Sequence, residues 1–204
     1  YSFYSGSDTE VVLQAWICWG KEALKRFNGM FAFALWDRSK ERLVLARDRY
    51  GIKPLYYRDD GKQLVFGSEI KAILRHPGYQ TGVSPEALHE YFTFQNIFSD
   101  RTLFKEIRIL PAAHCLQYQY RKGHILTDHY WDFHFEDTEL FSREEEYVEE
   151  LDRLFRQAVS RQLYSDVEMG SYLSGGMDSG AITSVAANRY PNLKTFTAGF
   201  DLSS

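Results

Sequence analysis

The pattern of hydrophobic and polar positions divides the chain into a strand-rich first part and a helix-rich second part. A helix is predicted to begin at Ser7-Asp8-Thr9-Glu10, which has the form of a capping box and precedes apolar residues at helical spacing. Gly20 is expected to end this helix. Four short β-forming runs follow at residues 30–36, 42–46, 55–58 and 63–66, with Asp60-Gly61 as a hairpin turn. We interpret the four runs as an antiparallel meander.

Two helices and a second group of strand signals complete the first part. One helix is expected to begin at Ser68 and to stop before Pro77-Gly78, and another starts at Ser84-Pro85, where proline suits the first helical position. Strand signals return between Leu103 and Trp131. The composition then turns acidic and polar, which places a linker at residues 133–141 between domains at 1–132 and 142–204.

The second part follows a strand–helix–strand order. Ser142-Arg143-Glu144-Glu145 is a second capping box ahead of a long amphipathic helix. Residues 169–173 are predicted to form a strand, 174–179 a tight loop, 180–189 a helix and 194–200 a second strand. This βαβ order indicates a parallel sheet, and the whole chain is therefore expected to be α/β.

Composition excludes several classes of protein. Of the 204 residues 44% are hydrophobic and 25% charged, as in globular domains, and the net charge is −4 with scattered Lys and Arg, which argues against a nucleic-acid partner. No apolar run approaches the roughly 20 residues that cross a bilayer, so we expect a cytoplasmic protein without a membrane partner. Cys18 and Cys115 have no metal-type spacing and are expected to be ordinary buried thiols.

The segment Ser174-Gly175-Gly176-Met177-Asp178-Ser179 carries the clearest chemical signal. Two glycines after a strand allow the backbone N–H groups to turn inward, and the helix that follows adds its positive N-terminal end. Ser174 and Ser179 would supply hydroxyl donors at the rim, and Asp178 would bind Mg²⁺. The loop is neither a Walker A motif nor a dinucleotide fingerprint, because it lacks their lysine or glycine spacing. The alternative is a glycine-rich turn that only connects a strand to a helix.

This loop resembles the pyrophosphate-binding loop of N-type ATP pyrophosphatases. The resemblance implies that ATP is cleaved between its α and β phosphates, with ATP and Mg²⁺ as the cofactors, and that a carboxylate becomes an acyl adenylate. It also implies that Leu173 and Ala198, at the strand ends, touch the adenosine. The alternative that both are simply buried strand residues remains open at this point.

Three further blocks, at residues 27–37, 46–57 and 67–72, resemble class II glutamine amidotransferases. The resemblance covers about residues 1–132 and implies an N-terminal-nucleophile fold, with two antiparallel sheets between helices. Its nucleophile is a cysteine whose own α-amino group is the base. Tyr1 cannot take this role, and neither Cys18 nor Cys115 has a free amine, so no catalytic nucleophile is expected in this chain. Of the glutamine pocket only Asp8 remains, by resemblance a ligand of the substrate α-amino group, and alternatively a helix cap.

Together the two resemblances indicate a glutamine-hydrolysing asparagine synthetase. Glutamine, aspartate and ATP would be its substrates, and a homodimer is left open. We expect the sequence to be an internal piece of a longer gene product, and to be inactive alone. The rivals are an amidotransferase that acts on another carboxylate, and a non-catalytic nucleotide-binding fragment. A phosphoribosyl-pyrophosphate amidotransferase would lack the loop, and a transfer-RNA-modifying enzyme would need a basic face.

Overall fold

The computed structural model describes residues 1–136, 141 and 143–199, and the chain divides into two compact units between His134 and Phe135. The helices of the first unit are α1 (Asp8–Trp19), α2 (Ile70–Leu74) and α3 (Pro85–Phe94), with a 3-10 turn at Gly20–Ala23. Its strands are β1 (Ala32–Asp37), β2 (Arg42–Arg47), β3 (Tyr56–Asp59), β4 (Leu64–Gly67), β5 (Arg108–Ile109), β6 (His114–Gln119) and β7 (His124–His129). The second unit contains α4 (Glu144–Gln162), β8 (Gly170–Tyr172), α5 (Met177–Arg189) and β9 (Lys194–Phe196). Within these described ranges, no helix is both long and apolar enough to span a membrane.

Helix α1 begins and ends where the sequence predicts, but its capping box is only half formed. The Ser7 hydroxyl accepts the N–H of Thr9 at 3.2 Å, and Gly20 ends the helix with a φ of +57°. The Glu10 side chain does not accept the N–H of Ser7, which donates to the Ser5 hydroxyl oxygen at 3.3 Å. Its carboxylate instead accepts the backbone N–H groups of Tyr4 and Ser5 at 3.0 and 2.8 Å. The expected reciprocal box is therefore wrong, because the preceding segment folds back and supplies competing donors to Glu10.

The four predicted strands of the first half pair as antiparallel hairpins but do not form one meander. Strands β1 and β2 belong to a four-stranded sheet of order β1-β2-β6-β7, whereas β3 and β4 belong to a three-stranded sheet of order β4-β3-β5. The turn at Asp60-Gly61 joins β3 to β4 as predicted, with Gly61 at a φ of +78°. A hairpin is a local choice, but the sheet that it joins depends on β5 and β6, which come much later in the chain.

The two faces of β2 carry the core of the first unit. Val44 packs in a cluster with Trp16 of α1 and Leu24, and Leu45, on the opposite face, packs with Leu55 beside the second sheet. Helix α2 contacts β3 and β4 of that second sheet. The layers therefore run helix, sheet, sheet, helix, which is the order that the amidotransferase resemblance implied, and the mixed α/β class is confirmed.

The two cysteines occupy different environments. Cys115 on β6 is buried, as expected, whereas Cys18 on α1 is exposed, so that expectation is wrong for Cys18. Cys18 lies two positions after the buried Trp16. At about 100° per residue this places Cys18 on the opposite side of the helix from the core.

The second unit has the predicted parallel pair. Strands β8 and β9, which precede and follow α5 in the sequence, form a parallel hydrogen-bonded pair. Val159 of α4 packs with Ala186 of α5. Helix α5 begins at Met177, three residues before the predicted start, and α2 begins at Ile70 after a cap at Glu69, not at Ser68. Arg143 is the cap of α4. The predicted cap Ser142 and the predicted strand end Phe200 lie outside the described residues.

Candidate functional site

The candidate phosphate-binding loop connects β8 to α5. Gly175 has a φ of +84°, a conformation that favours glycine, and Gly176 is the extended cap residue of α5. The first intrahelical bond runs from Gly180 N–H to the carbonyl of Gly176 at 3.0 Å. The N–H groups at positions 177–179 therefore precede the helical ladder and have no acceptor within it. They form the positive end of α5 next to the glycine turn, which is an arrangement that binds anions.

The hydroxyl groups of Ser174 and Ser179 hold this loop together. The two oxygens lie 3.0 Å apart, and the Ser179 hydroxyl donates to the carbonyl of Gly176 at 3.1 Å. The N–H of Ser174 donates to the Ser179 hydroxyl oxygen at 3.3 Å, and that of Gly176 to the Ser174 hydroxyl oxygen at 3.4 Å. These hydrogen bonds fix the turn between Ser174 and Ser179. The role of the two hydroxyls as donors to a ligand stays a prediction.

Asp178 is the exposed carboxylate of the site. It lies in the first turn of α5, next to the positive helix end, and its carboxylate makes no hydrogen bond or ion pair with another described residue. Mg²⁺ in nucleotide sites is commonly held by one or two carboxylates together with substrate phosphates, so a single free aspartate fits this metal. The described part of the chain has no group of three His, Cys, Asp or Glu side chains that could hold a metal without a ligand.

Leu173 and Ala198 lie at the carboxyl ends of the two parallel strands. The N–H of Leu173 donates to the carbonyl of Phe196 at 2.9 Å, and the hydroxyl of Thr197 donates to the carbonyl of Leu173 at 2.6 Å. Leu173 is half-buried and Ala198, two residues beyond β9, is exposed, so the alternative of two buried strand residues does not hold. In open α/β sheets this edge is where ligands bind.

Asp8 lies in the first unit, at the start of α1. Because Ser7 is the helix cap, the Asp8 carboxylate is not used for capping and stays exposed. It lines an open groove of about 610 Å³, together with Lys53 and Ser68 and with residues 30–36 along the edge strand β1. The capping alternative for Asp8 is therefore wrong, and the carboxylate is available to a ligand.

The two thiols of the described residues differ in their surroundings. Burial raises the pKa of Cys115 to about 12, which disfavours its thiolate, and Cys18 lies on the exposed side of α1. Neither cysteine lines the groove next to Asp8. At Tyr1 the phenol hydroxyl donates to the Glu10 carboxylate at 3.1 Å.

One feature of this groove was missed from the sequence. Within the block at residues 46–57, the half-buried Arg47 and the buried Asp48 both hydrogen-bond to the backbone of Lys53, which lines the groove. A charged pair at the end of a strand that is followed by Gly51 is a weak signal of such a network, because glycine is needed where backbone and side chain approach closely.

Comparisons with known proteins agree with both units. Residues 1–131 match the family model of the glutamine amidotransferase domain, and residues 150–204 match the model of asparagine synthase. The chain is 40% identical to glutamine-hydrolyzing asparagine synthetase 3 of Bacillus subtilis over 93% of its own length and 30% of that protein. It is 33% identical to a putative glutamine-hydrolyzing asparagine synthetase 2 of Methanocaldococcus jannaschii, covering 97% of this chain and 39% of the relative. It is also 32% identical to the amidase chyE of Penicillium rubens, covering 98% and 32% respectively.

The chain thus spans about a third of the length of the curated relatives it matches. The amidotransferase model covers well over half of the chain, and the asparagine synthase model begins in α4 and includes the glycine loop. The chain therefore belongs to the glutamine amidotransferase domain family, followed here by an asparagine synthase segment, which is the pairing that the resemblance to glutamine-hydrolysing asparagine synthetases predicts.

Proposed function

We propose that the protein containing this chain makes asparagine from aspartate, with ATP as the energy source and glutamine as the donor of ammonia. The aspartate side-chain carboxylate attacks the α phosphorus of ATP, and the bond to the bridging oxygen of the β phosphate breaks. Pyrophosphate leaves, and ammonia displaces AMP from the β-aspartyl adenylate. In this proposal the domains are 1–132 for glutamine hydrolysis and 142–204 for the ATP loop, with 133–141 as a linker, in a cytoplasmic enzyme.

The observation that carries the proposal is the loop from Ser174 to Ser179. Its unused helix N–H groups and the positive end of α5 suit the departing pyrophosphate, and the free carboxylate of Asp178 suits the Mg²⁺ that accompanies it. The metal would neutralise charge on the leaving group, while Leu173 and Ala198 would border the adenosine. In the first unit, the exposed Asp8 would receive the α-ammonium group of glutamine.

The test is the exchange of labelled pyrophosphate into ATP in the full-length protein, measured with aspartate present. Asp178→Ala is expected to abolish exchange, because no other carboxylate of the loop can hold the metal, while glutamine hydrolysis stays measurable. Asp166→Ala is the matched control, because Asp166 is also an exposed aspartate of the second unit but lies before β8, outside the loop. Wild-type exchange in the Asp178→Ala protein would refute the role proposed for this residue.

A second candidate function is the amidation of a different carboxylate. The observation behind it is the similarity to the amidase chyE, a relative that is not named as an asparagine synthetase and yet is matched across 98% of this chain. The residues assigned above hold ATP and glutamine and leave the acceptor unspecified. Exchange that depends on a carboxylate other than aspartate would favour this alternative, and absence of exchange with every carboxylate would leave only a nucleotide-binding role.

A further inference from the structure

Asp48 is a buried carboxylate that is held almost entirely by backbone N–H groups. The residue is 1% exposed. One carboxylate oxygen accepts the N–H groups of Tyr50 and Ile52 at 3.1 and 3.0 Å, and the other accepts those of Phe31 and Lys53 at 3.3 and 3.0 Å. Four donors saturate both oxygens, so a neutral side chain of the same shape could not satisfy all of them.

The preceding residue, Arg47, binds carbonyl groups of the segment at residues 50–53, from which Asp48 accepts three of its N–H groups, and one carbonyl outside that segment. The guanidinium donates to the carbonyl oxygens of Gly51 at 2.5 Å, Lys53 at 2.8 Å and Leu110 at 2.7 Å. These are three acceptors in a fixed fork, an arrangement that the planar guanidinium satisfies and an ammonium group does not. Within residues 50–53, Arg47 thus binds carbonyl acceptors and Asp48 binds N–H donors.

Together the two residues fix the backbone of two chain segments that line the groove beside Asp8. At Phe31 the N–H donates to the Asp48 carboxylate, and the carbonyl accepts the backbone N–H of Asp48 at 2.9 Å. At Lys53 the N–H donates to Asp48 and the carbonyl accepts from Arg47. Both Phe31 and Lys53 line the groove, and neither Arg47 nor Asp48 does.

We infer that Arg47 and Asp48 are positioning residues for glutamine, and that they set the distance between the two groove walls, which are the segments at Phe31 and Lys53. The inference rests on the proposed function, because only there is glutamine the ligand of this groove. A displaced wall moves the substrate relative to the reacting group, and misplacement of about 1 Å can cost about a hundredfold in rate. The pair therefore affects glutamine use without touching the substrate.

The test uses the full-length protein and separates glutamine-dependent from ammonia-dependent synthesis. In Asp48→Asn only one oxygen remains, so whichever way the amide turns, two backbone N–H groups face an NH₂ group. We expect kcat/KM for glutamine to fall about tenfold to a hundredfold, mainly through a lower kcat for glutamine hydrolysis, with ammonia-dependent synthesis unchanged. Asp60→Asn is the matched control, because Asp60 also accepts two backbone N–H groups but lies in the β3–β4 turn away from the groove.

Arg47→Lys is the second variant. It keeps the charge and removes the fork, and it decides the question if Asp48→Asn does not fold. A kcat/KM for glutamine within twofold of wild type in the folded variants would overturn the inference, as would an equal loss of ammonia-dependent synthesis. If the wild-type protein does not hydrolyse glutamine, the proposed function fails instead, so the two failures are distinguishable.

Discussion

The hydroxyl pair of the glycine loop leads to a quantitative prediction for Ser179→Ala. This change removes three hydrogen bonds within the loop: the contact with the Ser174 hydroxyl, the bond from the Ser174 N–H and the bond to the Gly176 carbonyl. A net hydrogen bond contributes about 0.5–1.5 kcal/mol, and the lower end applies here because water can reach this exposed loop. The sum is about 1.5 kcal/mol of lost preorganisation.

We therefore expect ATP to bind about tenfold more weakly to Ser179→Ala, because about 1.4 kcal/mol corresponds to a factor of ten. Part of the binding free energy of ATP is then used to order the loop. Titration calorimetry of ATP with Mg²⁺ into the full-length protein measures the effect. Thr183→Val is the matched control, because Thr183 also forms a hydroxyl pair, with Ser171 at 2.8 Å, and this pair joins α5 to β8 outside the loop. An affinity of Ser179→Ala within twofold of wild type, or equal weakening in the control, would refute the reasoning.

Two further predictions concern the first unit. Gly51→Ala should lower the free energy of unfolding by about 2–3 kcal/mol, because φ is +64° and the new Cβ would lie 2.9 Å from the Arg47 guanidinium carbon. The control is Gly61→Ala, where φ is +78° but the space around the new Cβ is open, so the free energy of unfolding should fall by only about 1 kcal/mol. Urea unfolding measures both. A hydrogen bond from the Ser5 hydroxyl, with further bonds from the backbone, lowers the pKa of Glu10 from 4.5 to about 2. Because that pKa is depressed, the contact between the N-terminal segment and α1 is fully present above pH 4.5 and is lost as pH falls through 2. The amide chemical shifts of Tyr4 and Ser5 should change with pH as Glu10 titrates, and this change should be absent in Glu10→Gln. A midpoint at the ordinary glutamate pKa would contradict the contact.

Local signals determined most of the elements. Ser7, Gly20 and the pair Ser84-Pro85 mark helix ends in both the sequence and the structure, because caps use hydrogen bonds between near neighbours. The same is true of the hairpin turn at Asp60-Gly61 and of the glycine loop between β8 and α5. The roles of the individual site residues and the domain limits stay predictions, since they depend on ligands and on functional measurements.

Tertiary structure decided what these elements do. The assignment of the two early hairpins to different sheets depended on β5 and β6, and the Glu10 carboxylate was drawn away from its capping box by donors at Tyr4 and Ser5. The Asp8 carboxylate is free of a capping role because Ser7 caps the helix. The Asp48 carboxylate is buried and accepts four N–H groups because two separate chain segments meet there. Sequence spacing encodes which hydrogen bonds are possible within a few residues. The partner that a polar group finds is set by which distant segment packing brings within about 3 Å. The glycine loop could therefore be recognised from the sequence, whereas the hydrogen bonds that build the groove beside Asp8 could not.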